Sequence, residues 1–537
     1  MSKTAYYNGV IYTAWDQMQE ATAFVVEDGR FTFVGRDEEL PDCPNKVDLK
    51  GKCVIPGLVD SHCHIVAGVT QRVSSMIFVD EEVTPEKLGK VLVDLIKENE
   101  LGEDQTVVAM GIDLTLGEFS AQSIDGEISD RPVVVFSYDG HGLLLNTRAM
   151  EKLGINRETE DPGRDSYYAR DELGNPTGLV IEIPAMRPCK ELLSEPTEEE
   201  YKEILPDLVM GYGAYGYTAA FDAMSGYDRE NKILEVISQL DREGQLKLHL
   251  STSFGYNGEE YIEAREVLKI MKKNREDYTS ENLRCSTMKI ILDGTLEERS
   301  ALLYEPYSDD ERNFGLENIP FEEVNNAVNL AAEAGFDIHI HAIGDRAVGK
   351  AIDALTSIEN AGITKTIAHN QVYSDKDAER MAKAGDIFFQ TTPQWMLGDE
   401  HTLSCLGESR FAKQFPVGTM ERAGVRVTFG SDSCLEPKTA NPFAGMYVAC
   451  TRGEESVWGE ENLPPAEEKI SRMEALYAYS INGAMQLSMD QEIGSICPGK
   501  AADFAVLDRD IIRCSLEELG STQVLKTFFR GCEVFSV

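Results

Sequence analysis

A chain of 537 residues is longer than one hydrophobic core usually serves, so we expect a large enzyme-sized domain with a smaller companion. Its 42% hydrophobic and 27% charged residues are typical of a globular protein and exclude a fibrous or wholly disordered chain. The formal net charge of −42 repels phosphate backbones and anionic lipids, so neither nucleic acid nor a membrane surface is an expected partner.

Both ends of the chain predict short β-strands. The N-terminal strands are expected at residues 6–13, 23–27 and 31–34, and the C-terminal ones at residues 502–507, 524–529 and 533–537. Because both ends consist of short predicted strands, we expect residues 1–56 and 483–537 to form one small β-sandwich domain. The rest of the chain would then lie between its two parts.

The middle of the chain alternates apolar strand-like runs with amphipathic helical stretches, the pattern of βα units around a parallel sheet. The runs lie at residues 57–65, 218–223, 247–253, 288–293, 337–341, 366–369, 387–391 and 426–430. Eight strands are what a closed (β/α)8 barrel requires. An α/β fold of the TIM-barrel type is therefore predicted for residues 57–482.

The interval between the first and second runs is about 150 residues, far more than one crossover helix needs. It contains its own strand candidates at residues 107–111 and 132–138, and a turn-rich segment at residues 171–178. We expect residues 66–205 to form an α+β insertion over the barrel mouth. Insertions at that end usually shape substrate access.

Cysteine usage and the chain start bear on location. The 11 cysteines are scattered without a C-x-x-C pair, which favours reduced thiols over a disulfide framework. The first residues contain no apolar signal core, and no apolar run of 18 residues follows. A cytoplasmic location is expected.

Several of the eight histidines follow predicted barrel strands. His62 and His64 are two residues apart at the end of the first run, so both imidazoles leave the same face. His341 ends the fifth run, His369 ends the sixth, and Asp432 follows the eighth. Because the carboxyl ends of barrel strands meet at the catalytic mouth, these side chains should converge. Imidazole and carboxylate ligands predict a divalent metal there, with zinc the best candidate.

Longer motifs surround these residues. They read PGLVDSHCH at 56–64, DG at 293–294 with Lys289 upstream, HAIGDRAV at 341–348, GSD at 430–432 with Glu436-Pro437 behind it, and GSICPGKAAD at 494–503. Together they resemble the amidohydrolase family 3 branch of the amidohydrolase superfamily, over nearly the whole chain. The resemblance implies a TIM-barrel hydrolase that attacks its substrate with metal-activated water.

By this resemblance the chain would bind one or two divalent metals, and the implied ligands are His62, His64, Lys289, His341, His369 and Asp432. The two N-terminal histidines would hold the more buried metal. Lys289, if carboxylated on its amine, would bridge it to the second. Asp432 and His341 are the implied catalytic residues, with Asp432 taking the proton of the attacking water.

Some positions depart from the branch or allow another interpretation. The sixth strand ends in Ala368-His369 where the branch commonly has Glu-His, so a different substrate pocket is expected. Lys289 shares a strand face with Asp293, and a buried pair of the two is the alternative to a carboxylated bridge. His339, on the same face as His341, is interpreted as a lower-layer barrel residue rather than a spare ligand.

The leading hypothesis for function is hydrolysis of a C–N bond in an amide, formamide or similar small molecule. The alternatives on the same site are a deaminase or a cyclic imide or lactone hydrolase, and a non-enzymatic regulatory binding protein is the alternative of another class. A homodimer is expected from the family. The residues expected to line the substrate pocket are Tyr138, His141, Asp293, Arg299, Gln394 and Trp395.

Overall fold

The structure, a computed structural model, describes residues 3–80, 82–138, 140–162, 166–224, 232–256, 263–358, 362–396, 398–434, 440–453 and 463–537. Its centre is an eight-stranded parallel sheet in which neighbouring strands follow chain order. The strands are β1 (Leu58–Cys63), β2 (Tyr217–Asp222), β3 (His249–Tyr256), β4 (Leu283–Ile291), β5 (Asp337–Ala342), β6 (Lys365–His369), β7 (Ile387–Thr391) and β8 (Val427–Phe429). The predicted TIM barrel is confirmed.

A seam of hydrogen bonds brings the last barrel strand against the first. The buried carboxylate of Asp60 accepts from the backbone N–H of Ser431 at 2.9 Å and from its hydroxyl at 2.6 Å. The backbone N–H of Asp432 donates to the carbonyl of His62 at 2.8 Å. A Cβ at Gly430 would lie 2.5 Å from the backbone nitrogen of His62, so this close approach of the two strands requires glycine. The seam thus sets two predicted metal ligands side by side.

Helices cover the outside of the barrel, and several of them turn an apolar stripe inward. In the helix Asp345–Thr356, for example, Val348, Ile352 and Leu355 are buried at the spacing of one helical face. The helices of the barrel unit are Ile65–Val73, Glu198–Ala214, Lys232–Arg242, Ala264–Tyr278, Phe321–Glu333, Asp345–Thr356, Asp375–Ala384, Glu400–Phe411, Val417–Ala423, Pro442–Thr451, Arg472–Ala478 and Ile481–Gln486. Within the described ranges, no helix combines the length and apolarity that a bilayer crossing requires.

The segment between β1 and β2 contains a six-stranded mixed sheet of its own. In sheet order its strands are Tyr167–Arg170, Pro176–Ile181, Gly142–Leu145, Val133–Ser137, Val107–Ile112 and Ile77–Phe78. Its helices are Pro85–Glu98, Gln122–Asp125, Thr147–Leu153 and Ile183–Met186. Leu88 and Leu92 pack with Val107 and Val133 in a core separate from the barrel. The predicted α+β insertion is confirmed.

Two further sheets are built from the chain ends, as expected for the small β domain. The four-stranded sheet has the order Arg30–Gly35, Ala23–Glu27, Thr4–Tyr7, Asn45–Asp48. The six-stranded sheet has the order Cys532–Ser536, Val524–Phe529, Phe504–Leu507, Cys53–Pro56, Val10–Tyr12, Glu20–Ala21. A short helix, Leu516–Leu519, connects two of the C-terminal strands.

One strand prediction in this domain was wrong. Residues 6–13 were expected to form a single strand, but the chain breaks at Asn8, whose φ of +57° is left-handed, and at Gly9. The two resulting strands enter different sheets, and the Tyr6 ring packs between them against Phe24 and Phe504. The two-residue turn at Asn8 and Gly9 therefore divides a run that the apolar pattern predicts as one strand.

Candidate metal centre

Three of the predicted ligands meet at the mouth of the barrel. The Nε2 atom of His64 lies 3.0 Å from Oδ1 of Asp432, and the Nε2 atom of His62 lies 3.5 Å from the same oxygen. One ligand atom from each of the three lies within 4.8 Å of the others. Two imidazole nitrogens and a carboxylate oxygen at such distances form a donor set suited to zinc.

Residues with left-handed backbone are found at or just after the ends of two barrel strands, β6 and β8, where predicted ligands lie. Asp432 has a φ of +49°, His369 one of +73° and Asn370 one of +47°. Such conformations are costly for residues other than glycine, and they concentrate at active sites, where the surrounding fold enforces them. The Asn370 amide donates to the carbonyls of Ile367 and Gln390 at 2.6 and 3.1 Å and so holds the turn that aims His369 inward.

His369 and His341 complete the predicted set on the other side of Asp432. The Nδ1 atom of His369 lies 3.5 Å from Oδ2 of Asp432, and it is buried without a hydrogen-bond partner among the described residues. The ring of His341 lies 4.5 Å from that of His369, and its Nε2 lies 3.5 Å from the Gly294 carbonyl. Because a carbonyl only accepts, this Nε2 is the donor in that contact, which leaves the lone pair of the neutral ring on Nδ1.

Lys289 lies beside the first group rather than beside Asp293. Its Nζ atom is 3.2 Å from Nε2 of His62 and the side chain is buried. Burial lowers the pKa of this amine to about 7, against the opposing charge of Asp432. The Asp293 carboxylate instead accepts three backbone N–H groups, those of Leu302, Ile343 and Gly344, at 2.9 to 3.0 Å.

The electrostatics of the centre favour ligand chemistry. Burial lowers the pKa of His62, His341 and His369 well below the usual value, and neighbouring positive groups add to the effect. These rings are therefore neutral at physiological pH, the form in which imidazole binds a metal.

Comparison with known proteins decides the family, since residues 46–535 match the model of the amidohydrolase family. The chain belongs to the amidohydrolase family. The exoenzymes regulatory protein AepA of Pectobacterium carotovorum subsp. carotovorum is 30% identical to this amidohydrolase over 79% of the chain and 93% of that protein. The N-substituted formamide deformylase of Arthrobacter pascens is 26% identical over 95% of the chain and 94% of that protein. An uncharacterized metal-dependent hydrolase from Pyrococcus horikoshii shares the fold, with a TM-score of 0.72, 24% identity and coverage of 96% and 100% of the two chains.

Two of the residues predicted to line the amidohydrolase pocket adjoin histidines of the predicted ligand set. Trp395 stacks on His369, with ring centroids 5.8 Å apart and planes inclined by 14°, and it is 37% exposed. The ring of His141, which belongs to the insertion, lies 5.7 Å from that of His341. These two side chains therefore lie next to His341 and His369.

The other four predicted pocket residues occupy varied positions. Asp293 is fully buried, and its hydrogen bonds favour support of the loops after β4 and β5 over contact with substrate. Arg299 pairs with Asp309 at 2.7 Å. Gln394 is buried and donates to a backbone carbonyl at 3.0 Å, and Tyr138 is 40% exposed. Glu436 and Pro437, part of the family resemblance, lie outside the described residues.

The sequence did not point to Glu182, a residue of the insertion that also reaches this amidohydrolase centre. Its buried carboxylate lies 3.1 Å from Nδ1 of His141, and its φ of +67° is left-handed. A Cβ at Gly294 would lie 2.2 Å from its Oε1, so that glycine makes room for it. The pairing of Gly142 with Ile181 across two insertion strands places His141 beside Glu182, a proximity that no local pattern reveals.

Proposed function

We propose that this amidohydrolase uses a divalent metal, with zinc the best candidate, to hydrolyse the C–N bond of a small amide, formamide or related molecule. The observation that carries the proposal is the convergence of His62, His64 and Asp432 within 4.8 Å at the barrel mouth. His341 and His369 stand next to this group, in ring contact with each other.

The residues present fit a divalent cation. The donor set combines neutral imidazoles with one carboxylate, and the buried Nδ1 of His369 lacks a hydrogen-bond partner in the described part of the chain. Unpaired buried polar atoms are costly, so a ligand is expected at this nitrogen. When bound, such an ion supplies a water of lowered pKa and a Lewis acid for the substrate carbonyl.

Asp432 is placed to move the protons of the reaction. Its Oδ1 faces the two histidines of β1, and its Oδ2 faces His369, so the carboxylate spans the centre. From there it can accept a proton from the attacking water and return it to the departing nitrogen. Without that proton the nitrogen would have to depart as an amide anion, which is a very poor leaving group.

Lys289 is proposed to become carboxylated and to bridge two metals. Its amine, with a pKa lowered to about 7, has a large neutral fraction at neutral pH, and the neutral amine is the form that reacts with carbon dioxide. Its Nζ lies 3.2 Å from Nε2 of His62, the ring nitrogen that also faces Asp432. A centre with one metal and an unmodified lysine is the alternative state.

A C–N substrate is supported by the likeness to an N-substituted formamide deformylase over nearly the full length of both proteins. The same chemistry also serves a deaminase or a cyclic imide or lactone hydrolase, because each presents a polarised sp² carbon. AepA is named a regulatory protein, which keeps a non-enzymatic regulator as the alternative of another class; this alternative is disfavoured because the predicted ligand set of this chain is complete.

The test is hydrolysis of a substrate panel by metal-free and zinc- or manganese-reconstituted protein. The panel contains N-substituted formamides, aminoacyl amides, cyclic imides, lactones and aminopurines, and products are identified by mass spectrometry. We expect metal-dependent release of an amine from a formamide or amide, with the His62→Ala, His64→Ala double variant as the inactive control. A fully metallated protein that turns over only lactones or aminopurines, or nothing, contradicts the proposal.

A further inference from the structure

His339 is a buried histidine of β5 to which neither the predicted ligand set nor the proposed reaction gives a task. It is 1% exposed, and its ring packs against Phe221 with centroids 4.6 Å apart. Its Nε2 atom lies 2.9 Å from Nδ1 of His62, the ring nitrogen of His62 that faces away from Asp432. His339 therefore contacts the predicted ligand His62 on the side of the ring opposite Asp432.

The surroundings of His62 determine where its proton resides. Nε2 of His62 lies 3.2 Å from Nζ of Lys289 and 3.5 Å from Oδ1 of Asp432. Nζ of Lys289 can donate a hydrogen bond to this nitrogen, and a metal bound there under the proposed function requires its lone pair, so Nε2 of His62 carries no hydrogen when the metal is bound. The single hydrogen of the neutral ring then lies on Nδ1, and the only role left to Nε2 of His339 in this bond is that of acceptor.

We propose that His339 is a positioning residue that fixes the tautomer and the ring plane of the metal ligand His62. This inference rests on the proposed metal-dependent function. Metal-bound histidines usually donate their second N–H to a carboxylate, a carbonyl or a water. In this chain a neutral imidazole takes that place, and it brings no further negative charge to a centre that already holds the carboxylate of Asp432.

The test measures metal affinity, so it does not depend on knowing the substrate. The affinity of the full-length chain for zinc is determined by competition with a chelator for wild type, His339→Phe and His339→Gln. We expect His339→Phe to bind about 10- to 100-fold more weakly, because removal of such a partner typically costs that much. The amide oxygen of His339→Gln can still accept from His62, so this variant should recover most of the affinity.

Two controls separate positioning from general damage. His401→Phe alters a histidine whose Nε2 faces a backbone carbonyl 3.3 Å away, outside the cluster, and should leave zinc affinity unchanged. In the background of His62→Ala, adding His339→Phe should cause no further loss, because the effect passes through His62. Melting temperatures of the metal-free forms show whether each variant folds, and His339→Gln serves if His339→Phe does not.

The outcomes distinguish this inference from the function on which it rests. A wild-type chain that binds no divalent metal overturns both. If wild type binds metal and His339→Phe binds it equally well, or weakens it equally with and without His62, the positioning role is wrong and the function stands. Loss of one metal equivalent in His339→Phe and also in His339→Gln would make His339 a ligand and likewise overturn the inference.

Discussion

At the scale of single residues, Asp432 combines ligand geometry with a proton-accepting oxygen. Asp432→Asn keeps the size of the side chain but removes its charge and basicity. Because general acid–base catalysis contributes about 10²- to 10⁴-fold, we expect kcat to fall by roughly that factor while KM changes far less. Metal content is measured alongside the rate. A fully metallated Asp432→Asn protein with wild-type kcat would remove Asp432 from the reaction.

Glu182 is expected to act through His141, which its carboxylate holds at 3.1 Å. Glu182→Gln retains a polar group of the same size but loses the charge that orients the ring. We expect kcat/KM to fall by about 10-fold, since charge-assisted hydrogen bonds contribute about 1.5–3 kcal/mol, with metal content unchanged. His141→Asn should lower kcat/KM at least as much. Equal kcat/KM values for Glu182→Gln and wild type would leave Glu182 a structural residue of the insertion.

Four histidines and Asp432 could be proposed from sequence because each stands at the carboxyl end of an apolar run, where barrel topology alone brings side chains together, whereas Lys289 was implied only by the family resemblance. That reasoning works without knowledge of any side-chain direction. The roles of Glu182 and His339 could not be found in this way. The contact between Glu182 and His141 depends on which insertion strands pair. The contact of His339 depends on which ring nitrogen of His62 faces it. The assigned metal roles themselves stay predictions.

At the scale of elements, the β1–β8 seam depends on Asp60. Its buried carboxylate serves the N–H and hydroxyl of Ser431 and the N–H of His62. Asp60→Ala leaves these donors unsatisfied at about 1–3 kcal/mol each, so we expect the free energy of unfolding to fall by about 3 kcal/mol or more. Ser431→Ala removes one bond and should cost about 1 kcal/mol. Equal denaturant midpoints for the two variants would contradict this account of the seam.

The helix Val417–Ala423 contains a carboxyl group that should make stability depend on pH. Burial, with the nearby charge of Glu474, raises the pKa of Glu421 to about 7, and its Oε1 lacks a hydrogen-bond partner among the described residues. The unfolded chain releases this proton near pH 4.5, so the folded state is progressively destabilised as pH rises from there to about 7.

Glu421→Gln removes that penalty. Since one pKa unit corresponds to about 1.4 kcal/mol, we expect the variant to gain up to about 3 kcal/mol over wild type at pH 8 and little at pH 5. Urea denaturation of both proteins at the two pH values measures the difference. A stability gain of the same size at both pH values would show that Glu421 does not titrate in this window.

The start of β4 and the break in the first N-terminal strand were not predicted correctly from the apolar pattern. The strand predicted at residues 288–293 is β4, Leu283–Ile291, because its first half lacks a continuous apolar run but pairs with β3. The order of elements along the barrel followed from their number and spacing. The break at Asn8 was missed because the prediction followed the apolar pattern alone, although the Asn8-Gly9 pair is a turn-forming dipeptide.

At the scale of the whole molecule, the three structural units have separate tasks. The barrel supplies the candidate ligands, the insertion supplies His141 and Glu182, and the β domain contacts the start of β3, where Asp503 pairs with His249 at 2.9 Å. The net charge of −42 favours solubility and counter-ion binding over any anionic partner. The homodimer, the cytoplasmic location and the bounds of the units stay predictions.

Elemental analysis of the purified chain tests most directly whether the barrel mouth holds a catalytic divalent metal. After removal of free metal by desalting, mass spectrometry should find about one or two equivalents of zinc or another divalent metal per chain. The matched His62→Ala, His64→Ala variant should lose at least one of them. A folded wild-type chain that retains no metal, or a double variant that retains as much as wild type, would contradict the account.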